Sequence, residues 1–164
     1  MNNIFLLTGG NIGDRLKYLH HAWEMVEKQV GPVLKKSSVY ETSAWGVTDQ
    51  SPFLNQVLLV ETKLPAAIIL ETILNIEQAL GRKRTEKMGP RTIDIDMLFF
   101  NNETISSPNL TVPHPQIQNR RFVLTPLYEI APGFIHPVLQ KTIGELLEIC
   151  PDRLEVKLLP MMEG

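Results

Sequence analysis

Two amphipathic helical stripes interleaved with four short β-rich runs restrict the folding of this chain more than any other feature. Leu16, Leu19, Trp23, Val26 and Val30 recur at three- and four-residue steps, and Ile69, Ile73, Ile76 and Leu80 repeat the pattern further on. Such spacing lines up along one side of an α-helix. Asp14 offers the first helix an N-cap and Gly31-Pro32 ends it, while Pro65 opens the second and Gly81 closes it. Ile4 to Thr8, Val33 to Thr42, Asn55 to Thr62 and Thr92 to Phe100 read as strands. The order β-α-β-β-α-β predicts an α+β, ferredoxin-like sandwich, a mainly antiparallel sheet with two helices on one face. Beyond the fourth strand, a β extension near Ile105 and added C-terminal helices around Phe122 to Ala131 and Ile143 to Ile149 are expected.

A chain of 164 residues, 43% apolar and 21% charged, suits one domain over 1–164 and neither a disordered nor a fibrous protein. Its formal net charge of -2 argues against a main role in coating nucleic acid or an anionic membrane. Any bound anion must then be held by local charge. The apolar runs Ile4 to Leu7, Val57 to Val60 and Met97 to Phe100 fall far short of the ~20 residues that cross a bilayer. The amino terminus lacks the basic stretch of a signal peptide. Cys150 is the only cysteine, which excludes an internal disulfide and suits a reducing cytoplasm.

Chemistry concentrates in one strand and the loops beside it. In Ile93-Asp94-Ile95-Asp96-Met97 a two-residue period sets Asp94 and Asp96 on one face, ~6.5 Å apart at their Cα atoms, with the apolar residues on the other. Aspartate is disfavoured in strands and two on one face repel, so compensation is expected. Mg²⁺ is one such compensation, since it takes one or two carboxylates and completes its shell with substrate phosphates. Taken alone, the pair fits a solvated outer face as well. The preceding segment shifts the balance: Arg82, Lys83, Arg84, Lys87 and Arg91 set five cations against the single acid Glu86. Cations for phosphates followed by carboxylates for metal is the arrangement phosphoryl transfer requires. No GxxxxGK[ST], HRD or DFG motif occurs, which excludes P-loop and protein-kinase chemistry.

Ser43 to Phe53 forms a second loop, longer than a hairpin needs, and such loops often carry function. Pro113-His114-Pro115 holds a histidine stiffly, which suits a phosphate or adenine contact and equally a plain turn. His20, His21 and His136 have no metal-ligand spacing.

These residues also carry a family likeness. GPRTIDIDMLFF at Gly89 to Phe100, accompanied in order by GGNIGDR, SSVYET, FLNQV, GRKR, LTVPHP and NRRF, resembles the 6-hydroxymethyl-7,8-dihydropterin pyrophosphokinases over nearly the whole chain. The resemblance implies ATP and two Mg²⁺ ions, with a pterin hydroxyl attacking the β-phosphorus and AMP leaving, a step of folate (tetrahydrofolate) biosynthesis. It implies Asp94 and Asp96 as metal ligands, with Arg82 and Arg91 beside them as catalytic residues. Glu77, Arg82, Arg84, Lys87, Arg91, Met97, Thr111, His114 and Arg120 then resemble nucleotide contacts. Thr42, Ser43, Ala44, Trp45, Phe53, Asn55, Asp94 and Phe122 resemble a pterin pocket, the ring stacked between Phe53 and Phe122. A cytoplasmic monomer with no nucleic-acid or membrane partner and no fused second enzyme is expected.

Several positions depart from the family pattern. Ser43-Ala44-Trp45 stands where Pro-Pro-Leu is common, Phe53 replaces a frequent tyrosine, and Leu74, Met88, Asn109 and Pro115 replace residues often Gln, Trp, Arg and Tyr. These departures bear on affinity more than on reaction type. Two other readings compete. RNA-recognition modules share the element order but need exposed aromatics where this chain has VLLVE and TIDIDML. A metal-dependent phosphohydrolase would satisfy the aspartate pair alone.

Overall fold

Both helical stripes bury most of the residues that define them. The computed structural model describes residues 1–42, 52–81 and 92–160. α1 (Arg15–Gln29) sinks Leu19, Ala22 and Val26 into the core, and Asp14 caps it by accepting the N–H of Lys17. Leu16 stays 45% exposed, at the margin of the stripe. α2 (Ala66–Ala79) buries Ile69, Ile73 and Ile76.

The helices lie against an antiparallel sheet of β1 (Asn2–Gly10), β2 (Val33–Lys36), β3 (Tyr40–Thr42), β4 (Phe53–Thr62), β5 (Asp94–Phe100) and β8 (Val156–Leu158). Its strand order is β5-β1-β4-β3-β8, with β2 also on β4. A hairpin of β6 (Ile105–Ser106) and β7 (Thr111–Val112) follows β5. The face under α1 and α2 carries Ile4, Leu6, Leu58, Val60, Ile95 and Met97. The opposite face carries Phe5, Leu7, Val57, Leu98 and Phe99 beneath α3 (Arg121–Ile130) and α4 (Ile143–Glu148). The added C-terminal helices thus turn a two-layer sandwich into three layers.

Two expectations are corrected. Val33 to Thr42 is two strands, because Ser37 interrupts the ladder: its hydroxyl accepts the N–H of Val57 and its carbonyl accepts the Gln56 amide. The fourth strand begins at Asp94, and β8 had no recognisable alternation in so short and polar a run. The two-residue alternation of β5 also ends at a register shift, where Phe5 faces Phe99 but Leu6 faces Met97. Leu98, left over, turns to the second core together with Phe99.

Among the described residues no helix is long and apolar enough to cross a membrane. His136, between α3 and α4, is 4% exposed, and its Nδ1 accepts the N–H groups of Val138 and Leu139, each at 3.1 Å. Burial holds its pKa below the ordinary 6.5. The unfolded chain therefore takes up this proton first, so the contribution to stability is complete above about pH 6.5 and is lost as pH falls toward the folded value. Melting temperature should drop between pH 7 and 5, with a shallower slope in His136→Asn. Equal slopes in the two proteins would exclude His136 as a source of the effect.

Candidate active site

Strand register, rather than proximity in sequence, assembles the site. Gly9 faces Asp94 on one side and Asn55 on the other, and Asn55 in turn faces Tyr40. Directly opposed residues share a face, so Asp94, Gly9, Asn55 and Tyr40 form one row across four strands. Phe53 and Thr42 form the next row on that face. Asp96, opposite Leu7, lies one row inward from Asp94. Both acids therefore emerge on the α3 side of the sheet, half-buried, while Ile95 and Met97 point into the first core. At a strand spacing of ~4.8 Å, Asp94 and Asn55 stand ~10 Å apart.

Gly9 makes room in this row. A Cβ there would overlap the Asn55 amide nitrogen and come within 2.9 Å of the Leu54 carbonyl oxygen. Asn55 is 5% exposed, and its Oδ1 has no hydrogen-bond partner among the described residues. Burying an unsatisfied amide costs roughly 1–3 kcal/mol, which a ligand donating to it would recover.

A groove of about 960 Å³ runs along the free edge of β5. Leu70, Ile73 and Leu74 of α2 line one wall, Leu110 and Thr111 of the β6–β7 hairpin another, and Asp96, Met97 and His114 the floor and end. Apolar walls ending in a carboxylate and a histidine suit a flat base joined to a phosphate chain. His114 donates its backbone N–H to Leu98 O at 3.0 Å, while its Nδ1 accepts the N–H of Gln116 at 3.2 Å. A neutral ring then carries its proton on Nε2. Burial foremost, and then the charge of Arg120, lower the His114 pKa against the pull of Asp94. The Arg120 guanidinium also sits 5.7 Å from the Phe122 ring centroid. Asp94, His114, Arg120 and Phe122 are thereby drawn together where the groove meets the Asn55 row.

Glu77, expected from the sequence as a nucleotide contact, is bonded to the strand that carries both acids. It is 1% exposed, does not line the groove, and its carboxylate accepts the N–H of Ile95 at 2.7 Å. β5 is an edge strand, and Glu77 supplies the acceptor that a neighbouring strand would otherwise provide. A hydrogen bond contributes a net of about 0.5–1.5 kcal/mol, here to the strand that carries both acids. Arg15 escaped sequence reasoning although it ends GGNIGDR. Its Nη1 donates to Glu41 Oε2 and to Pro52 O, both at 2.8 Å, joining the two ends of the segment 43–51. Ser43, Ala44 and Trp45, like Arg82, Arg84, Lys87, Met88 and Arg91, lie outside the described residues.

No cluster of three or more His, Cys, Asp or Glu able to hold a metal occurs among the described residues. Two half-buried carboxylates on one strand face nevertheless fit Mg²⁺, a cation that takes few protein ligands and fills its shell with water and phosphate oxygens.

Comparison with known proteins identifies the family. A family model described as 7,8-dihydro-6-hydroxymethylpterin-pyrophosphokinase matches residues 5–132. The chain is 42% identical over 145 residues to the 2-amino-4-hydroxy-6-hydroxymethyldihydropteridine pyrophosphokinase of Aquifex aeolicus, covering 88% of this chain and 90% of that protein. Against the protein of the same name from Bacillus subtilis it is 46% identical over 132 residues, 79% of each chain. Among solved structures, a crystal structure of Plasmodium falciparum HPPK-DHPS superposes with a TM-score of 0.73 at 20% identity, over 90% of this chain. This chain spans 42% of the length of that one, and at such low identity the likeness speaks to the fold alone.

Proposed function

This chain belongs to the 7,8-dihydro-6-hydroxymethylpterin-pyrophosphokinase family, and from that premise we propose how its residues divide the work. It transfers pyrophosphate from ATP to the hydroxymethyl group of 6-hydroxymethyl-7,8-dihydropterin in folate synthesis, giving the pterin diphosphate and AMP. The pterin hydroxyl oxygen bonds to the β-phosphorus, the bond from that phosphorus to the bridging oxygen of AMP breaks, and the hydroxyl proton passes to water.

The row Asp94, Gly9, Asn55 beside the β5 groove carries the assignment, because it offers two adjoining sites that meet at a pair of carboxylates. The groove takes the adenosine, with Met97 and Thr111 along it and His114 toward the phosphates. Asn55 reads the amide edge of the pterin, with Thr42 beside it and Phe53 and Phe122 as stacking partners. Asp94 and Asp96 would hold two Mg²⁺ ions, which when bound neutralise the triphosphate and polarise its oxygens. Arg120, with Arg82, Arg84, Lys87 and Arg91 of the basic segment, offsets phosphate charge; the forked donors of arginine match phosphate oxygens. Glu77 supports the strand. Holding two substrates in line accounts for most of the catalysis, since phosphoryl transfer asks little covalent chemistry of the protein.

A single buried cysteine supports a cytoplasmic setting. The deciding experiment supplies purified protein with ATP, Mg²⁺ and 6-hydroxymethyl-7,8-dihydropterin and identifies the products. AMP and pterin diphosphate should appear in equal amounts, and only with all three present. AMP formed at the same rate without the pterin would favour the phosphohydrolase reading.

A further inference from the structure

Asp152 follows α4, outside the residues that match the family model, and is 5% exposed. Its Oδ2 accepts the backbone N–H of Arg121 at 3.0 Å, and its Oδ1 accepts that of Leu154 at 2.9 Å. Its own carbonyl oxygen accepts Nε of Arg121 at 3.0 Å. Arg121 is the first residue of α3, and the cap position before it, Arg120, makes no side-chain capping bond. An orphan donor of the helix is thus met by a carboxylate 31 residues further along the chain. The same terminal segment continues into β8, where Val156 faces Thr42, and then to Leu159, whose N–H donates to Val39 O. It is tied at one end to the turn that bears Arg120 and Phe122, and at the other to the strand that bears Thr42.

We propose that Asp152 is a positioning residue for the pterin, fixing the first turn of α3 so that Phe122 is held over the face that carries Asn55. The proposal rests on the reading of Phe122 as part of the pterin pocket. Asp152 touches neither substrate; it acts through the Arg121 N–H and, by its charge, at the positive end of the helix. In Asp152→Asn one oxygen remains for two donors, and the new amide group faces an N–H it cannot accept, so the turn is released.

Asp152→Asn should raise the KM for the pterin about tenfold, while kcat and the KM for ATP stay within about threefold. In a Phe122→Ala background the same change should add less than about twofold, since both act on one contact. A parallel rise in both KM values, or effects of the two changes that multiply in full, would overturn the proposal. Phe122→Ala with an unaltered pterin KM would instead overturn the pocket reading itself, and the proposal with it. Should Asp152→Asn fail to fold, Arg121→Ala decides, because it removes only the side-chain arm of the anchor. A rise of about threefold confined to the pterin KM supports the proposal, and no change or an equal rise for ATP refutes it.

Discussion

Asp96→Asn should slow AMP formation at least about a hundredfold at saturating substrates, the largest effect expected of any single change in this protein. Asp96 lines the groove and shares a strand face with Asp94, and the two carboxylates are proposed to hold cations against the triphosphate. Asparagine keeps the shape and removes the charge. Hard divalent cations bind neutral amides far more weakly than carboxylates, and the uncompensated phosphate charge then opposes attack by the pterin oxygen. Initial rates measured across a Mg²⁺ titration locate the loss: partial recovery at high Mg²⁺ points to weakened ion binding, a low plateau to lost alignment. Near-normal turnover by the variant would refute the assignment of Asp96 as a metal ligand.

Asn55→Ala should lower kcat/KM for the pterin by about two orders of magnitude and leave ATP affinity within about twofold. A site that hydrogen-bonds an amide edge discriminates strongly, because loss of one partner strands the other without water to replace it. Asn55 is separated from Asp94 by the whole width of β1 and lines no part of the groove, hence the selectivity. Gly9→Ala should act in the same direction from beneath, since the added carbon displaces the Asn55 amide and crowds the Leu54 carbonyl. Steady-state kinetics for each substrate, with calorimetry for ATP alone, separate the two affinities. An unchanged pterin KM in Asn55→Ala would remove that residue from the pocket.

Both predictions draw on residues whose partners differ greatly in how visible they were beforehand. The pairing of Asp94 with Asp96 was legible because a two-residue period acts over a few ångströms of one strand, and it held up to the register shift at Met97. The burial of Glu77 was also within reach, being four residues beyond Ile73 on the helical stripe. Its partner, the N–H of Ile95, was not, since nothing in a helix announces which strand edge will need an acceptor. The Asp152 cap was hidden for the same reason: a capping residue is recognisable beside its helix, and this one reaches Arg121 from beyond the whole of α3 and α4.

By itself the sequence determined what short-range geometry decides: two helices with their buried stripes, the strand that presents two acids to one side, and motifs specific enough to mark a family. The tertiary structure alone decided that Gly9 lies between Asp94 and Asn55, that a second helical layer covers that face, and that the terminal segment returns to brace α3. Such arrangements depend on strand register and on side chains meeting across dozens of residues. Many weak packing contacts settle them together, and no local run of residues encodes that sum.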